Sequence, residues 1–378
     1  ATLLGPRPAP GHRPARLEEL ADEVRTHLSA PGLNPDSPAE LLRALRSAGL
    51  DVRTTRKEEL SRWQHPAVAP VLEYKRLARL LAANGWAWMD AWVHPSVDGR
   101  RERFRPEYVP GGVVTGRWAA RGGGALQLPK QIRSAVVADP GWRLVVADAA
   151  QLEPRVLAAM SHDEAMAHAA RDTDLYQGLA DQGVVETRAR AKVAMLGALY
   201  GAGSGEAGAL VPRLRRAFPR ATGLVEHAAR QGELGEQVST WLGRTCPPPS
   251  APWLQLQRRL REPDADPADR NRAQQQARDR GRFTRNFVVQ GTAAEWALCW
   301  LAELRTRLRA DEQPGRTPTG PHLVLFLHDE LVVHTPADRA DDVAAAVRAA
   351  ATAAGRLLFG AVPVDFLLEV TVAESYAP

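Results

Sequence analysis

An α+β fold built on an antiparallel sheet is what the sequence predicts, and two acid-tipped apolar runs carry the prediction. The run Leu323-Val324-Leu325-Phe326-Leu327 leads into His328-Asp329-Glu330, and Leu331-Val332-Val333 leads out. Two apolar runs around a short polar tip read as a β-hairpin, here with two carboxylates at its turn. A second run, Trp142-Arg143-Leu144-Val145-Val146-Ala147, ends on Asp148 and continues as Ala149-Ala150-Gln151-Leu152-Glu153-Pro154-Arg155. Burying acids between apolar strands costs several kcal/mol unless a cation meets them. Two strand-end acids far apart in sequence are what a two-metal phosphoryl-transfer site requires, although either acid alone also fits simple turn punctuation.

Along the chain, residues 1–16 are rich in Pro, Gly and Arg and are expected to be a linker or frayed terminus. Helical periodicity follows at 17–28 and 38–48, where Ser37 and Pro38 make an N-cap and first-turn pair. Residues 66–92 read as one longer amphipathic helix carrying Tyr74, Lys75, Arg76 and Arg79, and 104–114 alternates like a strand. After Asp148, helices are expected at 152–161, 165–171, 174–182 and 188–201, with Gly201, Gly203, Gly205 and Gly208 breaking the pattern. Residues 247–281 read as a loop followed by a polar helix, 337–358 as an Ala-rich helix and 362–372 as a closing strand. No internal repeat is visible.

The helix at 188–201 is distinctive. Arg188, Lys192, Leu196 and Tyr200 recur every four residues, which places them in one slowly drifting stripe. Two cations, an apolar side chain and an aromatic, in that order, suit a triphosphate at one end and a base at the other. A solvated basic helix face is the plain alternative. Only four lysines (Lys57, Lys75, Lys130 and Lys192) occur among the 49 basic residues, so a lysine in this stripe stands out.

At 378 residues and 44% apolar, the chain is long enough for two or three domains with a sizeable core. Net charge is +5, and the sequence pI near 9.5 with Arg as the dominant cation suits a polyanionic partner. A high-GC genome would also enrich Arg, Ala, Pro and Gly. Cys246 and Cys299 are too few for a disulfide framework or a cysteine zinc site. The ten histidines lack metal-ligand spacing, and no run suggests a membrane span or a signal-peptide core. A cytoplasmic, nucleoid-associated protein without membrane contact is expected. The chain begins with Ala1 and is expected to be a fragment of something longer.

Together these segments resemble the polymerase motifs of family A DNA polymerases. Asp148 to Arg155 is similar to the first motif, an Asp followed five residues later by Glu and then Arg. The helix ending in Tyr200-Gly201 is similar to the second, Arg-x3-Lys followed by Tyr-Gly, and His328-Asp329-Glu330 to the third. Thr115-Gly116-Arg117, Val238-x-Thr240-x2-Gly243-Arg244 and Arg282-x3-Asn286-x3-Gln290-Gly291-Thr292-Ala293-Ala294 match further segments in the family's order. The resemblance covers roughly residues 33 to 376. It implies a right-hand polymerase. Residues 17–92 would be a short helical thumb, 93–160 and 286–378 an antiparallel-sheet palm, and 161–285 helical fingers. A monomer is expected, with primer–template DNA and dNTPs as partners.

The resemblance also implies roles. Asp148 and Asp329 would hold two Mg²⁺ ions, with Mn²⁺ an alternative, about 3.5–4 Å apart for nucleotidyl transfer. Glu330 would be a nearby or occasional ligand. Arg188 and Lys192 would bind the triphosphate, with Leu196 where the family usually carries an aromatic, and Tyr200 at the templating base; Gln151 would belong to the same nucleotide pocket. Glu153 would be the steric gate against a ribose 2′-hydroxyl, although an acid in the first turn of a helix also complements the helix dipole. Arg117, Arg282, Asn286, Gln290 and His328 would read the minor groove and primer terminus; Asn286 and Gln290 also fit a helix cap or buried-backbone partner. Ala149 replaces the family's Tyr, and Asp174 stands where a phosphate-binding His is common, so Asp174 has no ligand role. A binding module without catalysis is the alternative function. A single-subunit RNA polymerase relative is disfavoured by Glu153. No acidic metal-binding cluster in residues 1–110 suggests proofreading.

Overall fold

Leucine spacing in the first hundred residues gives short helices, four of which bury apolar side chains. The computed structural model describes residues 3–96, 99, 101–121, 128–171, 174–201, 205–260, 266–309 and 320–377. Two units are separable: residues 1–107 with 120–129, and 108–119 with 130–378. In the first, α1 (Ala15–His27) buries Leu17, Leu20, Ala21 and Val24. Helix α2 (Pro38–Ser47) opens on the Ser37 hydroxyl, which accepts from Glu40 N; a cap of this kind contributes about 1 kcal/mol. Then follow α3 (Lys57–Leu60), α4 (Val68–Asn84) and α5 (Trp86–Trp92). Val24, Leu41, Leu45, Leu60 and Val71 share one core. Strands β1 (Val93–Pro95) and β2 (Glu102–Phe104) pair antiparallel.

Three sequence expectations change here. The helix predicted at 66–92 is two helices, because Gly85 is extended (φ −77°, ψ −165°) and ends the first. The strand predicted at 104–114 is interrupted after Phe104 and resumes as β3 (Glu107–Val109); Pro106, in the gap, lacks a ladder donor. Residues 1–16 are not a frayed end throughout. Leu4 is buried, Arg7 forms a two-pronged pair with Asp90 (2.5 and 2.9 Å), and Arg13 donates to the Tyr74 hydroxyl (2.6 Å).

After β4 (Ala119–Arg121) and α6 (Lys130–Arg133) comes β5 (Trp142–Ala149), whose burial alternates. Val145, Ala147 and Ala149 face the core, so Val146 and Asp148 face the other side. Helices α7 (Leu152–Ser161), α8 (Glu164–Ala169), α9 (Leu175–Asp181) and α10 (Arg188–Tyr200) lie within one or two residues of expectation. Gly201 caps α10 in the left-handed region. Gly205 and Gly208 do not break the chain as expected: α11 (Gly205–Ala217) contains both, and α12 (Pro219–Glu233) follows. Gly203 lies outside the described residues.

The loop expected at the start of 247–281 contains α13 (Ala251–Arg259), opened by Ser250. The polar helix belongs to α14 (Pro267–Leu308), 42 residues long, so the boundary expected at 285/286 falls inside one continuous helix. Strands β6 (His322–Leu327) and β7 (Glu330–Pro336) form the expected hairpin. A 3₁₀ turn at Ala337–Arg339 then precedes α15 (Ala340–Phe359). The closing strand is shorter than predicted: β8 (Leu368–Ala373). The sheet runs β6-β7-β5-β8, all antiparallel. Its core face meets α14 and α15 through fully buried Trp296 and Trp300, and the Trp300 indole donates to Val347 O (3.1 Å). Truncating such a side chain costs ~3–5 kcal/mol, so this layer fixes the sheet that carries the acids.

Candidate active site

Register places the acids before any side-chain detail. Asp148 on β5 sits opposite Glu330 on β7 and Glu369 on β8, so the three carboxylates project from one face, away from the Trp layer. Asp329 forms the hairpin tip with His328. The turn is tight: Asp329 N donates to Leu327 O (2.6 Å), which holds His328 at φ +60°. A side chain in that region costs ~1–3 kcal/mol and persists where the surroundings over-determine it. Here Ala149 N donates to Asp329 O (2.8 Å) and pins the tip against β5. The predicted acids are therefore brought together.

Their charges are handled unequally. Glu330 is buried and forms a two-pronged pair with Arg133 (3.1 and 3.3 Å). Neither Asp148 nor Asp329 has an ion-pair partner among the described residues. Burial, then Asp329, Glu330 and Glu369, push the Asp148 carboxyl up to about 6. Burial also raises Asp329, with Arg117 working against it and Glu153 and Glu330 adding to it. Burial and the nearby Arg117 lower His328, which favours the neutral ring.

Glu153 lies in the first turn of α7, as the dipole argument expects, and it is also held from two sides. Arg117 donates to Oε1 (2.6 Å) and the Tyr200 hydroxyl to Oε2 (2.9 Å). Burial and Glu153 push the Tyr200 hydroxyl up to about 12, so it remains a donor at neutral pH. Arg117 thus contacts the predicted gate. Its loop is shaped by Gly116 at φ +85°, where an added Cβ would lie 2.7 Å from Arg244 Nε. A Cβ on Gly291 would lie 2.3 Å from Thr240 Cγ2. Three of the sequence motifs therefore pack against one another behind the gate.

The stripe on α10 is real. Arg188, Lys192, Leu196 and Tyr200 are exposed, while Ala191, Ala194, Met195 and Ala198 are buried. It runs beside the segment from Gln151 to Glu153, tied at both ends. Tyr200 meets Glu153, and Arg188 meets Asp174 (Nη2 to Oδ2, 2.7 Å), which in turn accepts from Gln151 Nε2 (2.8 Å). Gln151 is left-handed (φ 50°) and also accepts from Leu175 N (3.1 Å). Lys192 has no ion-pair partner among the described residues.

Arg282, Asn286 and Gln290 share one edge of α14 at four-residue spacing, exposed or half-buried beside buried Phe287 and Val289. Arg282 pairs with Asp279. Asn286 and Gln290 lie deep inside α14, which removes the helix-cap explanation. Arg155 proves structural: it is buried and donates to the carbonyls of Ala150, Ala170 and Asp365 (2.5–2.9 Å).

Glu369 and Arg133 are the site residues that sequence reasoning missed. Glu369 carried the same signal as Asp148, a lone acid in an apolar strand, but no adjoining motif. Arg133 offered no periodic or motif signal.

The donor set fits a hard divalent cation. Two crowded carboxylates without an ion-pair partner among the described residues present oxygen ligands and excess negative charge, the combination Mg²⁺ uses when substrate phosphates complete its shell. No three His, Cys, Asp or Glu side chains among the described residues are arranged to hold a metal by themselves. Any such ion would thus depend on substrate oxygens as well as Asp148 and Asp329.

The chain is similar to several known proteins. "DNA polymerase I, thermostable" of Thermus filiformis is 30% identical over 343 residues, covering 83% of this chain and 36% of the relative. DNA polymerase I of Chloroflexus aurantiacus is 29% identical over 365 residues, covering 89% and 35%. The chain thus spans about a third of the length of these relatives. Among solved structures, the POL domain of Pol1 from M. smegmatis, in complex with DNA primer-template and dNTP, superposes with a TM-score of 0.70 at 19% identity. That match covers 96% of this chain and 65% of the other. No helix among the described residues is long and apolar enough to cross a membrane. The family model for DNA polymerase family A matches residues 13–377, and on that near-complete match the chain belongs to DNA polymerase family A.

Proposed function

We propose that this chain is the polymerase part of a template-directed DNA polymerase, adding deoxynucleotides to a primer 3′-hydroxyl, without a proofreading site of its own. The observation that carries it is the meeting of Asp148 and Asp329, neither in an ion pair among the described residues, beside an exposed Arg-Lys-Leu-Tyr stripe. In this reading residues 17–92 act as a short thumb, the sheet as the palm and the helices between its acid-bearing strands as the fingers. The chain would work as a monomer on primer–template DNA and dNTPs.

Asp148 and Asp329 would hold two Mg²⁺ or Mn²⁺ ions. The chemistry such ions supply when bound is activation of the 3′-hydroxyl and neutralisation of charge on the leaving pyrophosphate. Lys192 and Arg188 hold the triphosphate by charge-assisted bonds that strengthen as charge moves to the leaving group. Glu153, fixed by Arg117 and Tyr200, fills the space of a 2′-hydroxyl. Leu196 covers the base by apolar contact, and Tyr200 flanks the templating position. Arg282, Asn286, Gln290 and His328 line the DNA minor groove, where degenerate acceptors allow shape to be checked without sequence.

One observation favours the second reading, a primer–template binding module without catalysis: Asp174 occupies Arg188. Primer extension on a defined template with Mg²⁺ and single dNTPs separates the two. Templated addition is expected; tight DNA binding with no addition under Mg²⁺ or Mn²⁺ would establish the binding module instead.

A further inference from the structure

Two cations stand in the stripe of α10, and only one is free to meet a phosphate. Lys192 has no ion-pair partner among the described residues. Arg188 places Nη2 (2.7 Å) and Nε (3.1 Å) on a single oxygen, Oδ2 of Asp174. Asp174 is itself fixed: Oδ1 accepts from Gln177 N (2.9 Å), and Oδ2 also accepts from Gln151 Nε2 (2.8 Å). Arg188 is the looser partner, with about half its side chain exposed. A phosphate reaching Arg188 would therefore meet an anchored carboxylate already on the guanidinium, and the two anions repel at that distance.

We propose that Asp174 is an internal competitor for the nucleotide's phosphates, holding Arg188 in the nucleotide-free chain and weakening triphosphate binding until Arg188 is drawn off it. Resting on the proposed role of Arg188, this makes Asp174 a residue that sets nucleotide affinity while touching no substrate itself.

Asp174→Asn is the direct test, because Asn caps a helix as well as Asp while losing the charge and the acceptor that faces Arg188. Asp174→Ser removes the same charge and keeps a capping oxygen, which guards against an Asn-specific effect. Single-nucleotide incorporation on primer–template with Mg²⁺ gives KM and kcat. Binding of dNTP to the complex with a dideoxy-terminated primer gives Kd.

Both variants should lower KM and Kd for dNTP by roughly fivefold, the size expected for an exposed ion pair, with kcat little changed. The gain should vanish in an Arg188→Ala background, and the affinity for the unphosphorylated deoxynucleoside should not improve. Unchanged or weaker dNTP affinity in both variants, or an equal gain without Arg188, overturns the inference while wild-type extension stands. A wild type that neither binds nor incorporates dNTP overturns the proposed function and the inference with it.

Discussion

Asp148 and Asp329 form no ion pair among the described residues, whereas Glu330, Glu153 and Asp174 around them each pair with an arginine. Arg133 holds Glu330 at 3.1 Å, Arg117 holds Glu153 at 2.6 Å and Arg188 holds Asp174 at 2.7 Å. The difference separates acids that are fixed in place from acids that stay electrostatically hungry. Like charges crowded in a half-buried site disfavour joint ionisation, and Asp148 shows it by rising to about 6. A cation from outside the chain would relieve that crowding. The paired acids need none, and each positions something else: the hairpin, the gate or the stripe.

The largest effect should come from the unpaired acids. Asp148→Ala or Asp329→Ala is expected to lower primer extension by about 10³-fold or more, the several kcal/mol that metal-assisted charge stabilisation supplies. Primer–template affinity should change little, because under the proposed function these acids would meet metal and not duplex. Wild-type-like extension by either variant would erase the distinction between the two kinds of acid.

Next in size is the gate. Glu153→Ala should admit ribonucleotides, with a loss of sugar discrimination of roughly 150-fold for a contact worth ~3 kcal/mol. Competing rNTP and dNTP incorporation measures it. An unchanged ratio in an enzyme that already rejects ribonucleotides would reduce Glu153 to a helix-start acid.

A smaller effect concerns stability. The Asp148 carboxyl rises from 3.8 to about 6 in the folded chain, so the folded state binds more protons between those values. Its contribution to stability is therefore lost as pH rises through that window. In metal-free buffer at pH 8, Asp148→Asn should be more stable than the parent by ~1–2 kcal/mol after allowance for solvent screening, with the gap closing toward pH 4. Denaturant midpoints at the two pH values report it; a gap that persists at pH 4 would point to packing instead of charge.

The acids themselves were legible in the sequence, whereas their arginine partners were not, for identifiable reasons. The β6–β7 hairpin and β5 were visible because apolar runs end abruptly on acids. The α10 stripe was visible because its four-residue spacing is unbroken. Helix α14 was only half visible: its polar first turns read as a helix, but past Gly281 tertiary packing rather than amphipathic periodicity carries it through to Leu308. The break at Gly85 was masked by Trp86, Trp88 and Trp92, which extend the apolar pattern past it. Glu369 looked like ordinary alternation in a closing strand. The pairing of Asp174 with Arg188 joins two helices across a turn and depends on how they pack, which no local pattern encodes.

Mn²⁺ titration followed by electron paramagnetic resonance, on the complex with dideoxy-terminated primer–template and the next dNTP, tests the distinction most directly. Asp148→Asn and Asp329→Asn should each weaken Mn²⁺ binding by at least about tenfold, the loss of one direct carboxylate ligand. Glu153→Gln, which alters an acid already held by Arg117 and Tyr200, should leave it close to wild type. Equal losses in all three variants, or none in the two aspartate variants, would contradict the assignment of Asp148 and Asp329 as the metal-seeking pair.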